Sequence, residues 1–196
     1  MVAHGWEELQ VAELLKDLNI FIENSRTGFY CLQPLVVKRS IVDSNAFSEE
    51  IRRRLDRMQG EPDPIGHLVE DLQQLTTWEV IDGQQRLTTL YIIMMVLKHD
   101  PVYRISYQTR PDSKDFLKNI IDKTIEDGAK NVDFLHMIQA RDVAQTWLQD
   151  KSDEEKALLY DTILERVKFI WYESVGENPI DVFTRLNIGK ISLTNS

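Results

Sequence analysis

Two apolar patterns of different period occupy the first forty residues. From Trp6 to Glu23, apolar residues recur every three or four positions with charged residues between them, which predicts an amphipathic helix. From Gly28 to Arg39 the sequence is rich in Tyr, Leu and Val, and the unbroken Leu35-Val36-Val37 predicts a strand covered on both faces. Because proline cannot donate to a sheet ladder, Pro34 predicts an irregularity or a sheet edge partway along this strand.

A strand, a tight turn and an apolar helix follow at the centre of the chain. Val80 and Ile81 belong to a strand predicted over residues 78–82, and the pair Asp82-Gly83 is a turn signal. Apolar residues then recur at helical spacing in a helix predicted over residues 84–98, namely Leu87, Leu90, Tyr91, Met94 and Leu97. This helix carries so much apolar surface that we expect it to be buried.

The remaining sequence predicts more helices and two more strands. Alternation over Val102–Tyr107 predicts a strand, and the composition of Phe169–Tyr172 predicts another within residues 168–173. Helical patterns cover Ser48–Leu55, Asp112–Asp122, Asn131–Leu148, Asp153–Val167 and a last segment that Asn178-Pro179 opens. The two longest of these are expected to form an antiparallel pair.

These elements predict an α+β fold. It consists of a small mixed sheet of about four strands around the buried helix, with a helical annex. We expect one domain made of residues 1–111 and 167–196, with residues 112–166 as an annex of that same domain. A chain of 196 residues with 42% hydrophobic and 28% charged residues is long enough for such a core.

The charge of the chain limits its partners. Thirty-two acidic and 23 basic residues give a formal net charge of -9, so any contact with DNA would need a local basic patch. The concentrated positive charge lies at Arg52, Arg53, Arg54 and Arg57. Nearby glutamates favour a solvated helix face over a nucleic-acid site there.

Cysteine usage and hydropathy favour a cytoplasmic protein with no membrane partner. The single cysteine, Cys31, excludes an internal disulfide and a cysteine-rich zinc site, and we expect it in the core of its strand. No run of about 18 apolar residues is available for a membrane span, and the first residues lack the pattern of a signal peptide. The four histidines do not have the spacing of a metal site.

The turn before the central helix is the candidate site for chemistry. The first-turn amides of a helix and its dipole favour an anion, and Gly83 leaves room for one. Arg86 offers a planar fork for phosphate or carboxylate, and Asp82 is suited to hold magnesium, orient a water or bond a ribose hydroxyl. Thr88 and Thr89 add hydroxyls. The alternative is that Asp82 is only a helix cap and Arg86 only a surface ion pair.

The run Ile81–Leu90 resembles the signature of the DGQQR family, the amino-terminal domains of GmrSD-type modification-dependent restriction endonucleases and related bacterial anti-phage proteins. Phe183–Lys190, running on to Leu193-Thr194, is similar to the family's second block. The residues from Trp6 to Val37 are similar to its first helix and the strand that follows. The resemblance spans nearly the whole chain, and it implies a ParB/sulfiredoxin-like fold for the part that carries the sheet.

The chain departs from the family pattern in three places. The extended segment with a Tyr-Gln-Arg sequence that precedes the first helix in the family has no counterpart here, and the sequence stops at Ser196 where the family continues. Both ends are therefore expected to be truncated, which would leave a pocket that needs the missing arginine incomplete. The HNH motif of the family's separate nuclease domain is also missing, so we expect no DNA cleavage by this chain alone.

The resemblance implies a nucleotide-binding sensor module of a bacterial phage-defence system, with hydrolysis of the nucleotide left open. The expected cofactors are an NTP and Mg²⁺, with Asp82 as the metal ligand, and the implied link is to sensing of modified DNA through the full-length protein or a nuclease partner. The candidate catalytic residues are Asp82, Gln85 and Arg86, and the candidate binding residues are Gly83, Gln84, Thr88, Thr89, Asn187, Gly189 and Lys190. The alternative function is a non-catalytic module for DNA sensing or protein interaction.

Overall fold

The structure is a computed structural model and describes residues 8–24, 27–40, 52, 77–129, 131–175, 181 and 184. Within these ranges the chain forms α1 (Glu8–Asn24), β1 (Tyr30–Ser40), β2 (Thr77–Asp82), α2 (Gln84–Lys98), α3 (Ser113–Lys118), a 3-10 turn (Ile120–Asp122), α4 (Ile125–Gly128), α5 (Val132–Leu148), α6 (Asp153–Glu165) and β3 (Val167–Glu173). The predicted α+β class is confirmed, with three strands in the described part of the chain instead of about four.

The chain divides into two compact units. The first contains Met1–Gln33 and Gln84–Phe169, and the second contains Pro34–Gly83 and Ile170–Ser196. The helices between residues 112 and 166 thus belong to the same unit as α1 and α2. The division into a domain of residues 1–111 and 167–196 with an annex of residues 112–166 stays a prediction.

The core of the first unit is built around α2. Every residue from Thr88 to Met95 is buried, so two turns of this helix have no exposed face, as a continuously apolar helix requires. Apolar residues of the other helices cover it, among them Val11, Leu15, Leu18, Leu117, Met137, Ile138, Ala144, Leu159 and Ile163. The prediction of a buried helix over residues 84–98 is confirmed at both ends.

The two long helices α5 and α6 both pack against α1 and α2. The sequence predicts that α5 and α6 form an antiparallel pair, whereas both make their stronger contacts with α1 and α2, and the central helix explains this difference. Because α2 is apolar on all sides, burying it requires cover from several helices. The predicted start of α6 is confirmed by a capping box, in which the Ser152 hydroxyl accepts from the Glu155 amide at 3.2 Å and Glu155 accepts from the Ser152 amide at 2.8 Å.

The prediction of a strand at Val102–Tyr107 is wrong. The segment makes no ladder with β1, β2 or β3; its one bridge joins Tyr107 to Arg110. The alternation is nevertheless real, because side chains along the segment are in turn exposed and half-buried. The inward tyrosines contact α2, where the Tyr103 hydroxyl donates to the Leu87 carbonyl at 2.6 Å. An extended segment that packs on a helix has the same period as one that packs in a sheet.

The second unit contains most of a small mixed sheet with the strand order β2-β1-β3. β1 pairs antiparallel with β2 from Val36 to Ser40, with a register shift between Val36 and Val37. Amides of Tyr30 and Ser174 donate to the carbonyls of Arg166 and Val37, each at 2.8 Å. Since residue numbers rise together along β1 and β3, these two strands are parallel. The ParB/sulfiredoxin-like topology stays a prediction.

β1 confirms two expectations and corrects a third. Leu35-Val36-Val37 is buried throughout, as predicted for a strand covered on both faces. Pro34 lies ahead of the residues paired with β2, and the predicted irregularity occurs just after it, at the register shift. Cys31, however, is exposed and is not a core residue. Side chains before Pro34 alternate, and this alternation turns Tyr30 and Leu32 inward and Cys31 outward.

Two predicted elements, the helix at Ser48–Leu55 and the last helix from Asn178, lie outside the described residues. Three residues of these two segments are described, namely Arg52, Asp181 and Thr184, and each is helical and exposed. Across the described ranges, no helix has the length and the hydropathy needed to cross a membrane.

Candidate functional site

The candidate site begins at the turn that joins β2 to α2. β2 ends at Asp82, Gly83 is buried with a φ of 95°, and α2 begins at Gln84. A positive φ is the left-handed region, which glycine enters without the steric penalty that a Cβ atom brings. The predicted strand, glycine turn and helix are therefore confirmed, and the need for glycine at this turn is conformational.

Replacing Gly83 by alanine is expected to lower the free energy of unfolding by about 1–2 kcal/mol, because alanine is strained at this φ. Gly28 provides a matched control, since its φ is 101° but an added Cβ would meet nothing within 4 Å. Denaturant unfolding of Gly83→Ala and Gly28→Ala separates two causes of instability. Both variants have the backbone strain of a positive φ, but Gly28→Ala has no crowding of the added Cβ. A Gly83→Ala variant as stable as the parent would contradict the observed backbone conformation.

The first turn of α2 differs from the first turns of the later helices. It contains no acidic residue, and Gln84 and Gln85 are exposed while Arg86 is half-buried. Each of the helices α3 to α6 carries an acidic residue in its first turn: Asp115 in α3, Glu126 and Asp127 in α4, Asp133 in α5, and Asp153, Glu154 and Glu155 in α6. The first turn of α2 therefore has no acidic side chain of its own that would oppose an anion at the positive end of the helix dipole.

Arg86 is held at this turn by a residue from a distant part of the sequence. Its Nη1 donates to Oε1 of Gln33, the last residue of the first unit before the chain enters the second. This partner is a neutral amide, so the contact orients the guanidinium without itself adding a negative charge. Sequence reasoning missed Gln33, because alternation in β1 turns it outward but nothing in the sequence links it to a helix 53 positions later.

Thr88 and Thr89 lie inside the first unit, with exposed fractions of 0% and 9%. The Thr88 hydroxyl donates to the Gln84 carbonyl at 3.0 Å and lies 2.5 Å from the Tyr107 hydroxyl. Since a threonine hydroxyl has one proton and Thr88 gives it to Gln84, Tyr107 is the donor in the second contact. The Thr88 hydroxyl thus links the first turn of α2 to Tyr107 inside the first unit. Direct contact of Thr88 with a ligand stays a prediction.

Tyr107 connects that turn to the helices that follow. Its amide donates to Oγ of Ser113 at 2.9 Å, and the Arg110 guanidinium, which pairs with Asp133, lies 5.7 Å from the centre of the tyrosine ring. Burial raises the pKa of Tyr107 above its usual value, so the hydroxyl remains protonated at neutral pH and available as a donor to Thr88. Tyr107 was absent from the predicted site.

Replacing Tyr107 by phenylalanine is expected to destabilise the chain by about 1–2 kcal/mol, because the Thr88 hydroxyl loses its buried donor. Urea unfolding measures the difference. Tyr172→Phe is a suitable control, since Tyr172 is half-buried and its hydroxyl makes no hydrogen bond with the described residues. Equal midpoints for the two variants would show that the Tyr107–Thr88 bond adds nothing to stability.

The remaining predicted site residues are placed as follows. Asp82 is half-buried at the end of β2, and within the described ranges no cluster of three or more His, Cys, Asp or Glu side chains is arranged to hold a metal. Asn187, Gly189 and Lys190 lie outside the described residues. Two open surface cavities of about 680 and 390 Å³ are lined by residues of α1, α2, α5 and α6, and none of the predicted site residues lines them.

Comparison with known proteins identifies the family. No curated protein and no solved structure matches the chain. The family model for the GmrSD restriction endonuclease, N-terminal domain, matches residues 3–196, which is nearly the entire sequence. With the signature residues at the β2–α2 turn, this match shows that the chain belongs to the family of GmrSD restriction endonuclease N-terminal domains.

Proposed function

We propose that this domain binds the phosphates of a nucleoside triphosphate at the first turn of α2 and serves as the nucleotide-dependent sensor of a phage-defence system. The observation that carries the proposal is the first turn itself, which has no acidic residue and contains Arg86, whose guanidinium contacts the amide oxygen of Gln33. Helix amides and an oriented guanidinium are a favourable combination for a phosphate. Membership of a restriction-endonuclease family gives the proposed biological setting.

Each residue of the signature has a proposed part in this site. Arg86 neutralises the phosphate charge, and the glycine at position 83 keeps side-chain atoms away from the approaching anion. Gln84 and Gln85 are exposed at the start of the helix, where they are suited to orient a water or contact the base. Asn187, Gly189 and Lys190 stay predicted binding residues that lie outside the described residues.

Magnesium fits this proposal as an ion carried in with the nucleotide. Mg²⁺ is commonly held by one or two carboxylates together with phosphate oxygens and waters, so Asp82 is sufficient as the ligand from the described part of the chain. The ion would supply charge neutralisation during phosphoryl transfer, which depends mainly on positioning and electrostatics.

The proposal is tested by titrating the chain with ATP, GTP, CTP and UTP by calorimetry, with magnesium and then with EDTA. At least one nucleotide is expected to bind with a micromolar Kd, equivalent to about 8 kcal/mol, and to bind more weakly without magnesium. Phosphate release from the same samples then decides whether binding is accompanied by hydrolysis. If none of the four nucleotides binds, the proposed function is wrong.

A second candidate function, as a module that senses DNA or binds a protein, is favoured by two tryptophans and an arginine that lie together in the second unit, where the arginine also pairs with Glu173. The rings of Trp78 and Trp171 meet edge to face at 5.0 Å, and the Arg39 guanidinium lies 5.1 Å from the centre of the Trp78 ring. Trp171 is 50% exposed. Exposed tryptophan and arginine are common at protein interfaces and on surfaces that stack nucleic-acid bases.

The net charge of -9 weighs against DNA binding by this group. Binding of fluorescent DNA oligonucleotides with and without modified bases, to the parent and to Trp171→Ala, tests the second candidate. It is supported if the parent binds and the variant loses affinity for DNA while keeping its affinity for nucleotide.

A further inference from the structure

We infer that Gln33 is a positioning residue for Arg86: its side-chain amide holds the guanidinium at the first turn of α2 in the orientation that receives phosphate. This inference rests on the proposed function and extends it to a residue outside the family signature. The observed contact is the bond from Nη1 of Arg86 to Oε1 of Gln33, and both residues belong to the first unit. Gln33 is thus placed to act through Arg86.

The backbone of β1 fixes the direction of the Gln33 side chain. Residues 30 to 34 alternate between half-buried and exposed, with Leu32 and Pro34 half-buried and Gln33 exposed. Pairing with β2 begins only at Val36, so Gln33 lies on a part of β1 that has no partner in β2. The Gln33 side chain therefore projects from a strand in which the residues on either side are packed. A strand fixes the position of a side chain more precisely than a loop does.

The chemistry of the amide suits a positioning role at an anion site. An amide oxygen accepts one of the five N–H groups of a guanidinium and adds no negative charge. A carboxylate in the same place would form an ion pair with Arg86 and compete with phosphate. Holding the long arginine side chain in advance also reduces the rotamer freedom that is lost when an anion binds. Glutamine therefore orients Arg86 without adding a negative charge of its own.

The inference predicts a characteristic pattern of binding to magnesium tripolyphosphate. Gln33→Ala is expected to weaken binding about three- to tenfold, and Gln33→Glu by more than tenfold, as expected for loss or neutralisation of an arginine that makes charge-assisted bonds. In an Arg86→Ala background, Gln33→Ala should have no further effect, because a residue that acts through Arg86 has nothing left to position. Gln145→Ala, an exposed glutamine on α5, is the control and should bind as the parent does.

A second measurement examines the contact without any ligand. The Nε–Hε signal of Arg86 in ¹⁵N NMR spectra reports how restricted the guanidinium is. We expect the guanidinium to be equally restricted in the parent and in Gln145→Ala, and less restricted in Gln33→Ala. Thermal midpoints of all variants should lie close to that of the parent, since Gln33 is exposed.

The possible outcomes separate the inference from the function on which it rests. If the parent binds and Gln33→Ala weakens binding equally in both backgrounds, or not at all, the inference is overturned while the proposed function stands. If the parent binds neither tripolyphosphate nor any nucleotide, the proposed function is overturned and the inference falls with it. If the parent binds but the Arg86 signal is unchanged in Gln33→Ala, only the inference is overturned.

Discussion

Replacing Arg141 by methionine is expected to lower the free energy of unfolding by about 3 kcal/mol, the largest stability effect that we predict. Arg141 is 8% exposed, and its Nη1 donates to the carbonyls of Ile120 at 2.8 Å, of Ile121 at 3.2 Å and of Lys123. Its Nε and Nη2 donate to Asp142. These carbonyls lie in and just after the 3-10 turn, so methionine would leave several of them without their donor.

Urea unfolding monitored by circular dichroism measures this effect. Arg104→Met is the matched control, because Arg104 is an exposed arginine of the same unit and its replacement should change stability by no more than about 0.5 kcal/mol. If the two variants unfolded at the same urea concentration, Arg141 would not be the cap of the 3-10 turn that its contacts indicate.

Replacing Arg86 by lysine is expected to weaken nucleotide binding by at least about tenfold, equivalent to about 1.4 kcal/mol, while the thermal midpoint changes little. Lysine keeps the positive charge but loses the planar fork that bonds a phosphate through two N–H groups. It also cannot use one N–H to contact Gln33 while presenting a rigid pair to the ligand. Calorimetry with the nucleotide that binds the parent, together with a thermal melt, measures both quantities.

The alternative view of Arg86 as a structural residue predicts the reverse. In that case Arg86→Lys would lower the thermal midpoint and leave the affinity for nucleotide unaltered. Arg104→Lys controls for the general effect of exchanging the two cations on the surface, and it should change neither quantity.

The sequence predicted the central elements well because their signals are local. The bounds of α2 follow from an apolar run that begins right after Asp82-Gly83, and the positive φ of Gly83 follows from that same turn. The capping residues Ser152 and Glu155 likewise define the start of α6 within four positions. In each case the residues that decide the structure are adjacent in the chain.

The failures came where the partner of a segment decides its structure. Val102–Tyr107 has the alternation of a strand, but its inward tyrosines contact α2, and periodicity does not distinguish a helix from a strand as the neighbour. Cys31 was assigned to the core from its apolar surroundings, although alternation before Pro34 turns it outward. The position of Cys31 in the alternating strand therefore predicts its exposure better than the apolar composition of the segment does.

The candidate site was partly predictable for the same reason. The signature from Asp82 to Arg86 is contiguous, so its turn and its helix start were readable from the sequence. Gln33 and Tyr107 were not, because they reach α2 across 53 and 19 positions through side-chain bonds that no local pattern encodes. The burial of Thr88 was likewise unexpected, since a hydroxyl near a helix start suits a ligand and an internal bond equally well.

The central claim is that a nucleotide binds through its phosphates at the first turn of α2, and backbone amide shifts in ¹⁵N NMR spectra test it most directly. We expect a magnesium nucleotide to shift the amides of Gly83, Gln84, Gln85 and Arg86 most strongly, and magnesium tripolyphosphate to shift the same amides without the base. Amide signals of residues that line the larger surface cavity, such as Gln145, should keep their chemical shifts. Shifts centred elsewhere in the chain, or no shifts at saturating nucleotide, would contradict the account.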